Sequence, residues 1–138
     1  MTKSSIIVSL LLALLIFTGC NKHVGLSGKV IYSDDKSPVP TGTVCLETDT
    51  FLARGNIRPD GTFVVGSVKQ TDGMPPGKYR VSISDAQRII GQDENGDEIY
   101  EPLIDAKFTD SATSGITIDI TSTTRNFVIE VDRYVPAR

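Results

Sequence analysis

The feature that most constrains this fold is a strict alternation of apolar and polar side chains in the middle of the chain. Tyr79, Val81 and Ile83 alternate with charged and hydroxyl-bearing residues. A period of two places the apolar groups on one face of an extended chain, so the segment predicts a half-buried antiparallel strand. The preceding Pro76-Gly77 pair favours the centre of a type II turn, because proline presets φ and glycine accepts the positive φ that follows.

Similar strand-like patterns recur along the chain and predict the remaining strands. They lie at residues 26–32, 42–48, 51–57, 62–68, 116–121 and 127–132. Turn signals separate them, and Pro59-Asp60-Gly61 is a predicted hairpin tip. No amphipathic helical pattern follows residue 20. Together the segments predict an all-β fold, a seven-stranded antiparallel β-sandwich with Greek-key-like connections.

Two stretches are less regular. Residues 86–101 contain Asn95-Gly96, a two-residue hairpin signal, and are expected to protrude as a hairpin or loop. Residues 102–114 predict an irregular connection whose apolar side chains return to the core. Those side chains are Leu103, Ile104 and Phe108.

Composition fits a single small domain and argues against nucleic acid as a partner. The 138 residues are 39% hydrophobic, and the formal net charge is −3. A chain of this length builds one domain with a sizeable core. Nucleic-acid binding needs a basic patch that neutralises phosphates, and no run of lysine and arginine supplies one.

The N-terminus has the features of an export signal. Residues 6–17 are apolar except for Ser9 and follow the single positive side chain of Lys3. As a helix this run spans roughly 18 Å, against about 30 Å for the hydrocarbon core of a bilayer. It is therefore too short for a comfortable membrane span and suits the apolar core of a signal peptide.

The apolar run ends in Phe17-Thr18-Gly19-Cys20, which resembles the lipobox of bacterial lipoproteins, where leucine is usual in place of Phe17. The resemblance implies cleavage between Gly19 and Cys20 and acylation of the Cys20 sulfur by fatty acids such as palmitate, which anchor the new N-terminus in a membrane. The chain then divides into a signal peptide at residues 1–19, a lipidated cysteine with its short tether at 20–24, and the domain at 25–138.

Asn21 bears on which membrane holds the anchor. In enteric lipoproteins an aspartate after the lipidated cysteine marks inner-membrane retention, so Asn21 favours the outer membrane. Residues 21–24 reach at most about 14 Å, which keeps the domain close to the lipid surface. The alternative is a plain secretory signal in which Cys20 is an ordinary thiol.

The chain has two cysteines, Cys20 and Cys45. If Cys20 is acylated, Cys45 has no partner within the chain. Cys45 lies in a strand-like run and is expected to be a small buried hydrophobe. A Cys20–Cys45 disulfide is the alternative if lipidation fails.

Catalytic and metal chemistry have little support. A cysteine nucleophile needs a histidine base, and His23, the one histidine, lies in the tether. One histidine is also too few for the common zinc sites, which need three or four His or Cys ligands. We therefore expect no enzyme activity, no cofactor and no metal. Residues 93–98 loosely resemble the start of a calcium-binding loop, but their spacing differs and a solvated hairpin tip is favoured.

Two residues bear on a covalent cross-link between the terminal strands. Some surface sandwiches form a Lys–Asn isopeptide bond between their first and last strands. Lys29 and Asn126 lie on those predicted strands. Alternation places both opposite the apolar positions, so both are expected to face water.

Three stretches together resemble the carboxypeptidase regulatory-like domains, and in particular small lipoproteins of that kind from planctomycete-like bacteria. They are Gly28-Lys29-Val30, Pro59-Asp60-Gly61-Thr62-Phe63 and Pro75-Pro76-Gly77-Lys78-Tyr79-Arg80-Val81. The resemblance implies a prealbumin or transthyretin-like sandwich over about residues 25–132. It implies no catalytic residues, because in the carboxypeptidases this module accompanies a separate catalytic domain.

These observations predict a non-enzymatic, lipid-anchored protein of the cell envelope, with a structural or protein-interaction role. Recognition is expected to use sheet edges or the 86–101 loop, since loops on a rigid scaffold usually carry binding. The candidate contact residues are Asp93, Glu94, Asn95, Asp97 and Tyr100. The alternative is a carrier or binder of a small molecule or glycan, with Tyr32, Tyr100 and Tyr134 as candidate aromatics.

Overall fold

The computed structural model describes residues 26–66, 74–121, 124 and 126–138. The predicted signal peptide, Cys20 and the tether lie outside the described residues. The described part contains nine strands and one short 3₁₀-helix, Ala106–Thr109. The strands are β1 (Leu26–Tyr32), β2 (Thr43–Glu47), β3 (Leu52–Asn56), β4 (Thr62–Val65), β5 (Gly77–Ser84), β6 (Gln87–Gln92), β7 (Glu98–Pro102), β8 (Thr117–Ile120) and β9 (Asn126–Val131).

Seven of these strands form the two sheets of a β-sandwich. One sheet has the order β4-β1-β9, and the other has the order β3-β2-β5-β8. Each sheet turns its apolar side chains inward, so that Val30, Phe63 and Ile129 share one buried cluster with Val44 and Val81. The predicted all-β sandwich is confirmed. The remaining two strands, β6 and β7, pair with each other as a separate hairpin.

The first and last strands pair in parallel, which differs from the antiparallel expectation. Ser27 of β1 lies opposite Asn126 of β9, and Tyr32 lies opposite Val131. The chain leaves β8 in one sheet and enters β9 in the other at the end where β1 begins. β9 therefore runs in the same direction as β1. Local alternation carries no information on this choice, because it depends on where the chain crosses between sheets.

The predicted type II turn at Pro76-Gly77 is wrong. Among the described glycines, positive φ angles occur at positions 42, 61, 96 and 115, and Gly77 is not one of them. Gly77 is instead the first residue of β5 and pairs with Ile120 of β8. The hydroxyl of Tyr79 donates to the carbonyl of Pro75 at 2.7 Å and fixes the extended entry into the strand.

Gly28 is required by the packing of β1 against its neighbours. A Cβ at this position would lie 2.6 Å from the carbonyl oxygen of Phe127 and 2.6 Å from the ring of Phe63. The two rings meet edge to face, with centroids 5.3 Å apart. The absence of a side chain on Gly28 makes room for this aromatic pair inside the three-stranded sheet.

The irregular connection returns to the core as predicted. Ile104 and Phe108 are buried, and Leu103 packs against the same cluster. Buried Ser114 holds the end of this connection, because its hydroxyl donates to the carbonyl of Val81 at 2.5 Å and accepts from the amide of Ile116 at 3.2 Å.

The sandwich has two distinct ends. The entry end holds the starts of β1, β5 and β9 and the ends of β4 and β8. The hairpin end holds the ends of β1, β5 and β9, the start of β2, and the β6–β7 hairpin that follows β5. β5 alone covers about 25 Å at roughly 3.3 Å per residue, so the two ends are far apart.

Candidate interaction site

The β6–β7 hairpin projects from the hairpin end into solvent. Every residue of β6 is exposed, as are four of the five residues of β7. Within the described residues the two strands pair only with each other. Their base is attached to the body where the Leu103 amide donates to the carbonyl of Ala86 at 2.9 Å. The predicted protruding hairpin at residues 86–101 is confirmed.

The hairpin carries large apolar side chains that nothing in the described structure covers. Ile89 and Ile90 are each 56% exposed, Tyr100 is 48% exposed and Ile99 is 42% exposed. We name these four residues the hairpin apolar patch. Ile89 lies opposite Tyr100 in the register, and a bulge follows between Ile89 and Gly91. Ile99 neighbours Tyr100 along β7, so the two side chains point to opposite faces and both faces are apolar.

The tip differs from the predicted two-residue Asn95-Gly96 turn. Such a turn needs positive φ at both central residues, but only Gly96 has it, with φ of 86°. The Gly96 amide donates to the carbonyl of Asp93 at 3.0 Å, which closes a turn over four residues. The Asp93 carboxylate accepts from the amides of Asn95 at 2.8 Å and Asp97 at 2.9 Å. Asp93 therefore shapes the turn.

The structure separates the predicted contact residues into two groups. Asp93, Glu94, Asn95 and Asp97 lie at the tip, whereas Tyr100 lies on β7 beside Ile89. The Tyr100 hydroxyl donates to the Glu98 carboxylate, and this hydrogen bond raises the pKa of Tyr100. Sequence reasoning did not select Ile89, Ile90 and Ile99, although they flank the acidic loop. Apolar residues in strands are normally expected to be buried.

Charge on the hairpin is mostly negative. Between residues 87 and 102 there are one arginine and five carboxylates. Arg88 forms an ion pair with Glu101 near the base. The other four carboxylates, at positions 93, 94, 97 and 98, form no ion pair with a described cation. No three His, Cys, Asp or Glu side chains in the described part are placed to hold a metal ion.

The base of the hairpin lies beside a cluster centred on Arg133, which we name the Arg133 clamp. The guanidinium lies 3.6 Å from the centre of the Tyr32 ring and donates to the carboxylates of Asp34 and Asp35, both at 2.9 Å. The hydroxyl and amide of Ser37 also donate to Asp35 and, with Arg133, lower the pKa of Asp35 to about 2. The clamp fastens the segment after β9 to the loop after β1.

The Arg133 clamp covers one of the tyrosines predicted to bind a glycan. Tyr32 is only 4% exposed and lies under Arg133, so it is not available as a glycan-stacking surface. Burial also raises the pKa of Tyr32. Tyr100 and Tyr134 remain exposed. Alternation places Tyr32 on the inner face of β1, which already argued for burial.

Two predictions on the sandwich surface have different outcomes. Cys45 is not fully buried: it points outward between buried Val44 and Leu46, because the inward positions of β2 alternate with it. Partial burial nevertheless raises the pKa of the Cys45 thiol. Lys29 and Asn126 face water as predicted.

Comparisons with known proteins add little. No protein-family model and no curated protein sequence matches the chain. A solved structure of a variant of the major pilin subunit of Bacillus cereus is similar at a TM-score of 0.44 and 14% identity. The match covers 81% of this chain, which spans 30% of the pilin. Among the described residues no helix is long and apolar enough to cross a membrane.

Proposed function

We propose that this protein is a non-enzymatic, lipid-anchored interaction module of the cell envelope that binds a protein partner through the β6–β7 hairpin. The observation that carries the proposal is the hairpin apolar patch, whose side chains are 42–56% exposed. A two-stranded hairpin is marginally stable alone in water. Apolar residues on both of its faces are accounted for if a partner buries them.

The anchor is the part of the proposal that depends on sequence. The Phe17-Thr18-Gly19-Cys20 motif supports export and acylation of Cys20, with the outer membrane favoured over the inner. β1 begins at the entry end, and the hairpin lies at the other end of the sandwich. A module attached through Cys20 would therefore carry its hairpin away from the point of attachment.

The chemistry of the hairpin indicates the kind of partner. Its apolar side chains suit an apolar cleft, and its acidic tip suits basic residues at the rim of that cleft. Electrostatic complementarity of this kind speeds association and selects partners more than it adds affinity. The proposed partner is thus an envelope protein with an apolar cleft and a basic rim.

The non-enzymatic part of the proposal rests on the chemistry of the candidate groups. A cysteine nucleophile is activated by a lowered pKa or a neighbouring base. The pKa of Cys45 is raised instead, chiefly by burial. The glycan alternative is weakened by the burial of Tyr32, one of its candidate aromatics.

Site-specific crosslinking in cells tests the proposal. A photoreactive residue replaces Ile90 in the full chain, and a matched variant carries it at Leu52, which is 41% exposed on β3. We expect one reproducible protein adduct from position 90 and none from position 52. The adduct should be lost when Ile89→Asp or Tyr100→Ala is added, while the melting temperature is unchanged.

Three outcomes bear against the proposal. Equal adducts from both positions, or an adduct that survives Ile89→Asp, would show that the hairpin does not select the partner. An unmodified Cys20 in the intact mass of the membrane-extracted protein would remove the anchor while leaving the hairpin interaction in place.

A further inference from the structure

A shallow groove lies on the outer face of the three-stranded sheet, away from the hairpin. Its volume is about 520 Å³, within the range of roughly 300–1,000 Å³ typical of ligand sites. Lys29 of β1 lies near the middle of this face, opposite Thr62 of β4 on one side and Val128 of β9 on the other. These side chains point away from the core because they alternate with the buried positions.

The groove carries two cations, and one carboxylate lies at its edge. The hydroxyl and amide of Thr62 donate to the Asp60 carboxylate at 2.6 Å and 3.0 Å and, with the charge of Arg58, lower the pKa of Asp60. Lys29 and Arg58 line the groove, and its lining includes no aspartate or glutamate. Neither cation forms an ion pair with a described residue. Glu130 lies diagonally from Lys29 on β9 but is paired with Lys36 at 2.9 Å. Two cations and one edge carboxylate leave the groove net positive on a chain of net charge −3, so it attracts an anion locally.

Apolar and neutral polar groups flank the two cations. Val128 is 61% exposed, and half-buried Val64 lines the same groove. Thr62 and Asn126 add polar groups to the lining, and each is held by a neighbour: the Thr62 hydroxyl donates to Asp60 and the Asn126 side-chain carbonyl accepts from the Ser27 hydroxyl. This combination suits a phosphate that bonds to Lys29 and Arg58, joined to a short apolar stem that contacts the two valines.

We propose that this groove binds the headgroup phosphate of an anionic phospholipid. Asn126 and Val64 place one end of the groove at the entry end of the sheet, while Arg58 lies before β4, toward the other end. Ser27, at the groove edge, is the seventh residue after Cys20, so at most about 25 Å of extended chain joins them. The choice of a lipid as the source of the phosphate depends on the proposed anchoring of Cys20. The charge and shape of the groove do not depend on that anchoring.

Native mass spectrometry of the full chain from a nonionic detergent tests the site. Phosphatidylglycerol and phosphatidylcholine are added separately, and glycerol 3-phosphate is the soluble competitor. We expect about tenfold more phosphatidylglycerol adduct than phosphatidylcholine adduct. Lys29→Ala and Arg58→Ala should each reduce the phosphatidylglycerol adduct about fivefold or more. Lys78→Ala should not change it, since Lys78 is an exposed cation on β5 outside the groove.

Each contrary result has a defined meaning. If Lys29→Ala and Lys78→Ala reduced the phosphatidylglycerol adduct equally, or if the two lipids bound equally, the groove would not be an anion site. Competition by glycerol 3-phosphate at equal concentration would make a soluble phosphoester the ligand and overturn the lipid source. The assay involves neither the hairpin nor its partner, so its failure is distinguishable from failure of the crosslinking experiment.

Discussion

β5 and the β6–β7 hairpin contain similar kinds of side chain and have opposite surroundings. In β5, Tyr79, Val81 and Ile83 are at most 2% exposed, because the other sheet covers them. Two residues separate the end of β5 from Gln87, which begins a hairpin whose isoleucines remain about half exposed. Local sequence determines which residues are apolar and which face they share. Whether anything covers that face depends on the arrangement of the whole chain.

This difference implies that the two regions contribute unequally to stability. The sandwich derives its free energy of folding from burial, which scales with the apolar area removed from water. The hairpin buries little and is held by its turn, its cross-strand pairs and its base. Matched substitutions in the two regions should therefore have very different effects on unfolding.

The largest expected contrast is between two glycines. Gly28→Ala places a methyl group 2.6 Å from the Phe127 carbonyl oxygen and should reduce the free energy of unfolding by about 1–3 kcal/mol. Gly91→Ala in the hairpin meets nothing within 4 Å and should change it by less than about 0.5 kcal/mol. Urea unfolding followed by circular dichroism measures both. Equal losses would contradict the separation of the hairpin from the core.

A smaller contrast involves two tyrosine hydroxyls. Tyr79→Phe removes the donor to the Pro75 carbonyl, 2.7 Å away, and should cost about 1 kcal/mol. Tyr100→Phe removes a hydroxyl that donates to exposed Glu98 and should leave the free energy of unfolding nearly unchanged. The same urea series tests the pair. A loss in Tyr100→Phe as large as in Tyr79→Phe would show that the hairpin contributes to global stability.

The smallest expected effect lies at the Arg133 clamp, on the border between the two regions. The pKa of Asp35 falls from 3.8 to about 2 in the folded protein. A carboxyl with a lowered folded pKa stabilises the fold above its unfolded pKa and loses that contribution as pH falls through the folded value. Between pH 4 and pH 2 the melting temperature should therefore fall less steeply in Asp35→Asn than in the wild type. Parallel curves would contradict the lowered pKa.

Much of the fold could be predicted from the sequence because the alternation of core residues is strong. Positions such as Val30, Val44 and Val81 occupy the inward face that their pattern predicts. The irregular connection also buries Ile104 and Phe108 as expected. These outcomes depend on local periodicity, which a single sequence displays directly.

The sequence predictions that were wrong share a different cause. The parallel pairing of β9, the extended conformation of Gly77 and the turn shaped by Asp93 each depend on a partner elsewhere in the structure or on a side chain that competes for a backbone amide. The candidate site was located only in part for the same reason. The acidic tip is visible in the sequence, but the exposure of Ile89 and Ile90 follows from the absence of a covering sheet in the described structure.

The central position of β1 has a mechanical consequence. β1 pairs with β4 on one side and with β9 on the other. A pull along the chain that precedes Leu26 acts parallel to this strand and loads the hydrogen bonds of both ladders together instead of opening them one at a time. The lifetime of the folded state under such tension is set by the rate of unfolding. If the chain before Leu26 is held, a pull on the hairpin at the other end of the sandwich would load β1, which is paired on both edges.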